Sequence, residues 1–301
     1  MRHLLAAASL LAVLCACEDE PRTREAAIDV DATEAELPVR RTAEATTEAE
    51  AGVGVTLTAL DCGTVEALDL GLFSGEGVYE GEQDTFADSC WLVRHPEGTL
   101  LWDTGLPAAL AGQGRQVNGP FAVTLERPLA DQLRELGVRP GFVALSHSHF
   151  DHSGQPEAAG RATWLVTDAE LRWMEDNEGD PEVDAAGSFT AFLDLDTESF
   201  SGERDVFGDG TVRIVEMPGH TPGHAVLLVT LDEEGPVLLT GDMYHLDRAR
   251  ELKTVPVFNW DGDATRDSIE AFEALAEETG ARVIIQHEDA DVADLYGTTL
   301  R

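Results

Sequence analysis

The chain has 301 residues, 20 Lys and Arg against 58 Asp and Glu, and 43% hydrophobic residues: enough apolar material for one large core or two small ones, and too much for a disordered or fibrous chain. A formal net charge of −38, with Lys253 the only lysine, leaves no basic surface on which nucleic acid or anionic lipid headgroups could release counterions, which argues against partners of both kinds. Four cysteines, Cys15, Cys17, Cys62 and Cys90, are too few for a disulfide scaffold or a cysteine-ligated zinc finger.

In chain order, residues 1–16 carry one basic residue, Arg2, and then an almost unbroken apolar run, too short to span a bilayer and of the right length for a signal peptide. Its end, Leu14-Cys15-Ala16-Cys17, resembles a bacterial lipoprotein signal in which Cys17 is lipidated; an ordinary signal peptide or an uncleaved anchor is the alternative. Residues 17–52 are acidic and rich in Ala and Thr, with no periodicity that could bury a face, and read as a disordered linker that stands a folded domain off a membrane. The expected location is therefore exported and lipid-anchored, at the periplasmic or outer surface of a bacterium, with membrane contact only through the anchor.

The folded domain spans 53–301. Strands are predicted at 55–60, 90–93, 99–102, 142–145, 162–166, 212–215, 225–229, 237–239 and 282–285, from short β-branched and apolar runs between Gly and Asp turns. Leu129, Leu133 and Leu136 predict a helix stopping at Gly137, and Thr167-Asp-Ala-Glu170 is a capping box that opens a second. A third is predicted over 264–279, with Asp263 as N-cap and Gly280 just past its end. Strands outnumber the interspersed helices, which predicts an α/β fold of two sheets with helices packed outside.

The segment His147-Ser-His149-Phe-Asp151-His152 follows the apolar run ending at Leu145. In an extended loop, side chains two apart point the same way, so His147 and His149 can grip one metal while Asp151 and His152 face a second. Three later strands also end on possible ligands: His220 and His224 after 212–215, Asp242 after 237–239, and His287 after 282–285. Neighbouring strands converge at one sheet edge, where rigid elements can hold nitrogen and oxygen donors around a cation. His95 and His245 belong to no motif, and His95 is expected at a solvent-facing strand end.

These residues, in this order and with Trp102-Asp103-Thr-Gly105, resemble the metallo-β-lactamase superfamily of binuclear metallo-hydrolases. The resemblance implies an αββα sandwich of two mixed β-sheets with outer helices. It implies that His147, His149 and His220 hold one metal, that Asp151, His152 and His287 hold the other, and that Asp242 bridges them. Asp103 would brace the metal loop and His224 would orient ligands without binding metal itself. Two Zn²⁺ are the expected cofactors, with Fe, Mn or Co also compatible with imidazole and carboxylate donors.

Two metals sharing a water make hydroxide available near neutral pH, so hydrolysis is the expected reaction, with Asp151 relaying a proton to the leaving group. True β-lactamases of the superfamily usually carry Cys in place of Asp242, which argues against β-lactams. Segments 90–96, 146–154 and 255–260 are similar to the N-acyl-homoserine lactone lactonase group, implying a small neutral lactone or ester substrate and a quorum-quenching role. Lactonases of that group place a substrate-contacting Tyr three residues beyond the bridging Asp; here Tyr244 is two beyond, and either contacts substrate or packs. Phe150, Phe258 and Trp260 could wall an acyl chain. The alternatives are a thioester hydrolase of glyoxalase II type, another ester metallo-hydrolase, and a non-catalytic zinc-binding lipoprotein. Cys62 and Cys90 could pair in an oxidising compartment.

Overall fold

The computed structural model describes residues 54–180, 183 and 187–301. The signal peptide, the lipidation site Cys17 and the linker lie outside the described residues. Among the described residues no helix is long and apolar enough to cross a membrane.

The first sheet is built from β1 (Thr56–Ala67), β2 (Asp84–His95), β3 (Gly98–Trp102), β4 (Gln116–Asn118), β5 (Phe121–Thr124), β6 (Phe142–Ala144), β7 (Thr163–Thr167) and β8 (Thr197–Phe200), in the order β4-β5-β1-β2-β3-β6-β7-β8. The second holds β9 (Glu203–Asp205), β10 (Val212–Glu216), β11 (Ala225–Leu231), β12 (Gly235–Leu239) and β13 (Arg282–Ile284), in the order β13-β12-β11-β10-β9, and the terminal β14 (Thr299–Leu300) returns to pair with β1. Both sheets are mixed: β3, β6, β7 and β8 run parallel, as do β12 and β13, and the remaining pairs are antiparallel.

The strands are continuously apolar because both of their faces are covered. On β2, Trp91 and Val93 point between the sheets, while Cys90 and Leu92 point outward. On β11, Leu227 and Val229 join that same inner layer, and Val226 and Leu228 face the opposite way. The outer face of the first sheet packs on α1 (Leu129–Glu135), α2 (Asp168–Asp176) and α3 (Ser188–Leu193) through Leu129, Leu133, Trp164, Met174 and Phe192. The outer face of the second packs on Ile269, Phe272 and Ala276 of the long helix Gly262–Thr279. Two inner sheets and two helical layers make the αββα sandwich. Each fully buried Leu, Val or Phe contributes roughly 1.5–3 kcal/mol, and the inner layer alone holds more than twenty buried residues, so the two sheets are held together by a large apolar interface.

Local differences from the predicted elements have physical causes. β1 runs past residue 60: a bulge at Asp61 and Gly63 shifts its register with β2, the pairing resumes as far as Ala67, and these last residues also pair with β5. The helices α4 (Asp247–Leu252), α5 (Gly262–Thr279) and α6 (Asp289–Val292) complete the chain, and α5 starts earlier than predicted. Asp261, not Asp263, is its N-cap: the Asp261 carboxylate accepts from Asp263 N at 2.9 Å and Ala264 N at 3.0 Å. His95 is not solvent-facing. Its ring stacks on Phe207 at 4.2 Å, and Nε2 lies 2.9 Å from Asp209 Oδ2.

Candidate metal centre

The loops that follow β6, β10, β12 and β13 meet at one edge of the sandwich, and each delivers ligand-type side chains there. His147 and His149 come from the first, His220 from the second, Asp242 from the third and His287 from the fourth. The donor atoms of His147, His149, His220 and Asp242 all lie within 4.8 Å of one another, as do those of Asp151, His152 and His287. His147 Nε2 is 3.2 Å from His220 Nε2, which is 3.0 Å from His149 Nδ1. His152 Nε2 and His287 Nε2 are 3.1 Å apart. Asp242 stands between the sets, Oδ2 at 3.2 Å from His220 Nε2 and 3.6 Å from His147 Nε2, Oδ1 at 3.0 Å from both His152 and His287 Nε2.

These separations are those of donors around small cations: ligands about 2.1 Å from a tetrahedral zinc lie about 3.4 Å apart. The tautomers agree. His287 Nδ1 donates to Ala87 O at 2.7 Å, His220 Nδ1 to Asn259 Oδ1 at 2.9 Å, and His152 Nδ1 to Asp103 Oδ2 at 3.1 Å, so each turns a bare Nε2 lone pair inward. Asp242 Oδ1 is buried without a hydrogen-bond donor even though two imidazole nitrogens touch it. Lone pairs that meet in this way require either added protons or cations between them. Burial works to lower His287 and the Asp242 carboxylate overrides it, holding the ring up to about 9; His152, between Asp242 and Asp103, is raised for the same reason. Burial alone would raise Asp242, but His152, His245, His287 and His147 hold it well below the usual carboxylate range. His147 and His149 lie well below the ordinary imidazole value, through burial and their imidazole neighbours. The donor set, five imidazoles and two carboxylates, fits two divalent cations.

Residues 84–287 match the family described as the metallo-beta-lactamase superfamily. The chain belongs to this superfamily. The N-acyl homoserine lactonase AttM of Azorhizobium caulinodans is 32% identical over 216 residues, covering 66% of this chain and 80% of that one. Among solved structures, an N-acyl homoserine lactone hydrolase with N-hexanoyl-L-homoserine at its catalytic metal centre has a TM-score of 0.68 at 22% identity, covering 80% of this chain and 97% of that one. The dizinc quorum-quenching lactonase AidC has a TM-score of 0.58 at 18% identity over 78% of this chain and 87% of that one. These last two establish the shared superfamily fold.

Around the donor cluster, buried polar groups fix the orientation of the ligands. Asp103, in the left-handed region at φ 61°, accepts from Ser146 N at 2.6 Å as well as from His152. A non-glycine residue there costs of order 1–3 kcal/mol of strain, which the surrounding bonds hold in place. His224 stays outside the donor set: Nδ1 donates to Met217 O at 3.1 Å and Nε2 accepts from Asp242 N at 3.0 Å, leaving no lone pair for a metal. Burial lowers its pKa to about 3, so the ring is neutral and fixes the backbone of Asp242. Gly241, at φ 50°, makes this approach possible, since a Cβ there would sit 2.7 Å from His224 Nε2.

Of the two places open to Tyr244, substrate contact or packing, the structure shows packing. Its hydroxyl donates to Glu273 Oε1 at 2.9 Å and its ring packs edge-on to Phe272 at 5.7 Å, so it is a packing aromatic turned away from the centre. The short helical turn Gly241–Met243 rotates the next residue inward instead, and His245 Nε2 lies 3.0 Å from Asp242 Oδ2. His245 stacks on His287 at 5.5 Å and meets Phe73 edge-on at 4.8 Å. Sequence reasoning assigned His245 nothing; its spacing of three beyond Asp242 was the available signal. Gln286 was missed as well. Its side chain donates to Asp103 Oδ2 at 2.9 Å and accepts from Gly241 N and Trp102 Nε1, each at 2.9 Å, tying the Asp242 and His287 loops to the end of β3 that carries Asp103.

The cluster's open side lies at His149 and Asp151, which are only partly buried, with Phe150 between them 38% exposed. Phe258 borders the centre, 5.9 Å from His220 and 6.1 Å from His245, and Trp260 is 54% exposed at the end of the same loop. Of the expected acyl wall, Phe258 therefore reaches the cluster directly.

Proposed function

We propose that this protein is a binuclear metal-dependent lactonase that opens the ring of N-acyl-homoserine lactone-like substrates. The observation that carries the reading is Asp242 set between two imidazole groups at 3.0–3.6 Å, in a chain whose curated relatives are lactonases. His147, His149, His220 and Asp242 would hold one zinc ion, and Asp151, His152, His287 and Asp242 the other; Fe, Mn or Co suit the same donors. When bound, such a pair supplies hydroxide near neutral pH and draws charge from an acyl oxygen.

The chain's own residues do the rest. Phe258 and the exposed Phe150 offer apolar surface to a neutral acyl substrate, and the net charge of −38 disfavours anionic ones. Ring opening breaks the acyl C–O bond while water adds its oxygen to the acyl carbon, leaving a carboxylate and an alcohol. Asp151, on the open side, passes the water's proton to the departing ring oxygen. Tyr244 takes no part. His245 stands beside Asp242, its Nε2 3.0 Å from Oδ2.

Export is part of the reading: residues 1–16 act as a lipoprotein signal, Cys17 carries the lipid, and the domain stands at the periplasmic or outer surface of a bacterium on the 17–52 linker. The Cys62–Cys90 disulfide, Cα atoms 5.8 Å apart, supports an oxidising compartment. Mass spectrometry of the membrane-associated protein is expected to find a lipidated Cys17, and a soluble, unmodified Cys17 would refute the anchor.

Metal-analysed protein is expected to contain about two ions and to open acyl-homoserine lactones with release of one proton per turnover, followed in a pH-stat. Metal-replete protein that hydrolyses thioesters and leaves lactones untouched would transfer the assignment to a thioesterase; protein inert to lactones, thioesters and aryl esters would remove the enzyme reading altogether.

A further inference from the structure

Glu170 is the third residue of α2, where a capping box turns its carboxylate back on the helix's own first turn. Thr167 keeps its half of that arrangement, Oγ1 accepting from Glu170 N at 3.2 Å. The Glu170 side chain instead leaves the helix. Oε1 accepts from Ser148 N at 2.7 Å, and Oε2 accepts from Thr221 Oγ1 at 2.7 Å and Gly223 N at 2.9 Å. The residue is 2% exposed, and among the described residues no Lys or Arg pairs with it, so these three donors carry the whole compensation of a buried carboxylate. Thr167 Oγ1 also donates to Gly223 O at 2.8 Å, and a Cβ on Gly223 would collide with Thr167 Oγ1 and Glu170 N.

Ser148 lies between His147 and His149, and Thr221 follows His220. One carboxylate therefore joins the two loops that supply the three imidazoles of one donor set. Of the other set, His152 shares the first of these loops but is oriented by Asp103, and His287 is oriented by Ala87 O. We infer that Glu170 is a positioning residue for the ion held by His147, His149, His220 and Asp242, clamping the two ligand loops through Ser148, Thr221 and Gly223. This rests on the two-metal reading above. Glu170→Gln keeps the shape, but its NH₂ must face Ser148 N–H or the Thr221 and Gly223 donors, so at least one buried donor loses its acceptor. Loss of such an outer partner typically lowers metal affinity roughly tenfold to a hundredfold.

The test is a Co²⁺ titration of the metal-free full chain, read by visible absorbance and by competition with a chelator. His149→Ala and His287→Ala, each lacking a donor of one set, serve to identify the two bands. Glu170→Gln is expected to weaken by tenfold or more the ion missing in His149→Ala, leaving the other within about threefold. Thr221→Val, which removes one of the three donors, should shift the same ion in the same direction by less, and it carries the test if Glu170→Gln does not fold. Equal weakening of both ions together with a lower melting temperature of the metal-free variant would make Glu170 merely structural and overturn the inference, as would unchanged affinities in a folded variant. Wild-type protein that never takes up two Co²⁺ overturns the metal reading itself and this inference with it, whereas wild type with two ions and an unaffected Glu170→Gln overturns this inference alone.

Discussion

The centre's chemistry reduces to which lone pairs point inward, and that is decided one residue at a time. The Asp242 carboxylate lies within 3.6 Å of donors of both sets, so Asp242→Ala is expected to lower metal content from about two toward none and to reduce kcat/KM by roughly a thousandfold or more, about 4 kcal/mol of transition-state stabilisation. Metal analysis and progress curves on the same sample check this; two retained ions in the variant would contradict the bridge. His224 predicts a pH effect. With a folded value of about 3 against an ordinary 6.5, it binds fewer protons in the folded state than in the unfolded chain between those values, so stability is lost as pH falls from about 6.5 toward 3. Melting curves of chelator-treated protein between pH 7.5 and 4.5 are expected to fall with acid, and more shallowly for His224→Gln; identical slopes would dismiss His224 as the cause. The histidines of the 147–152 motif were legible because ligands two apart at a strand end have few other uses. His245, Gln286 and Glu170 were not, since their roles depend on partners brought together only by folding, such as Asp103 with Gln286, 183 positions away.

Elements place these residues through their ends. α5 begins against the His220 loop: Trp260 N donates to His220 O at 3.0 Å and Asp261 N to Gly219 O at 2.9 Å, while the Asp261 side chain caps the helix. Removing the cap with Asp261→Ala is expected to cost about 1 kcal/mol in urea unfolding, with Asp261→Asn recovering most of it. Equal stability of Asp261→Ala and wild type would return the cap to Asp263. The sequence offers carboxylates at both 261 and 263, and local propensity does not choose between them; the backbone turn imposed by the Gly219 contact does. Strand runs such as 90–93 and 225–229 were readable from apolar continuity. β4, β8, β9 and β14 were not, because strands of two to four partly exposed residues exist only through the edges they pair with.

At the scale of the molecule, the sandwich closes around two sheets whose strands bury both faces, and the Cys62–Cys90 bond fastens β1 to β2 beneath the helical layer. With the cysteines 28 positions apart, the bond contributes about 2–4 kcal/mol. Replacing both cysteines by Ala is expected to lower unfolding free energy by that amount, and an equally stable, reductant-insensitive double variant would show that packing alone suffices. The alternation of inner and outer apolar residues, the strand-end placement of seven donors and the acidic, basic-poor composition were determined by the sequence itself, because periodicity, spacing and charge are local or additive properties. Which carboxylate caps α5, that His245 faces Asp242 and Tyr244 does not, and that Glu170 serves two distant loops were decided only by the tertiary structure. A single-residue rotation in a turn, or a contact between strands far apart in the chain, leaves no periodic trace to be read beforehand.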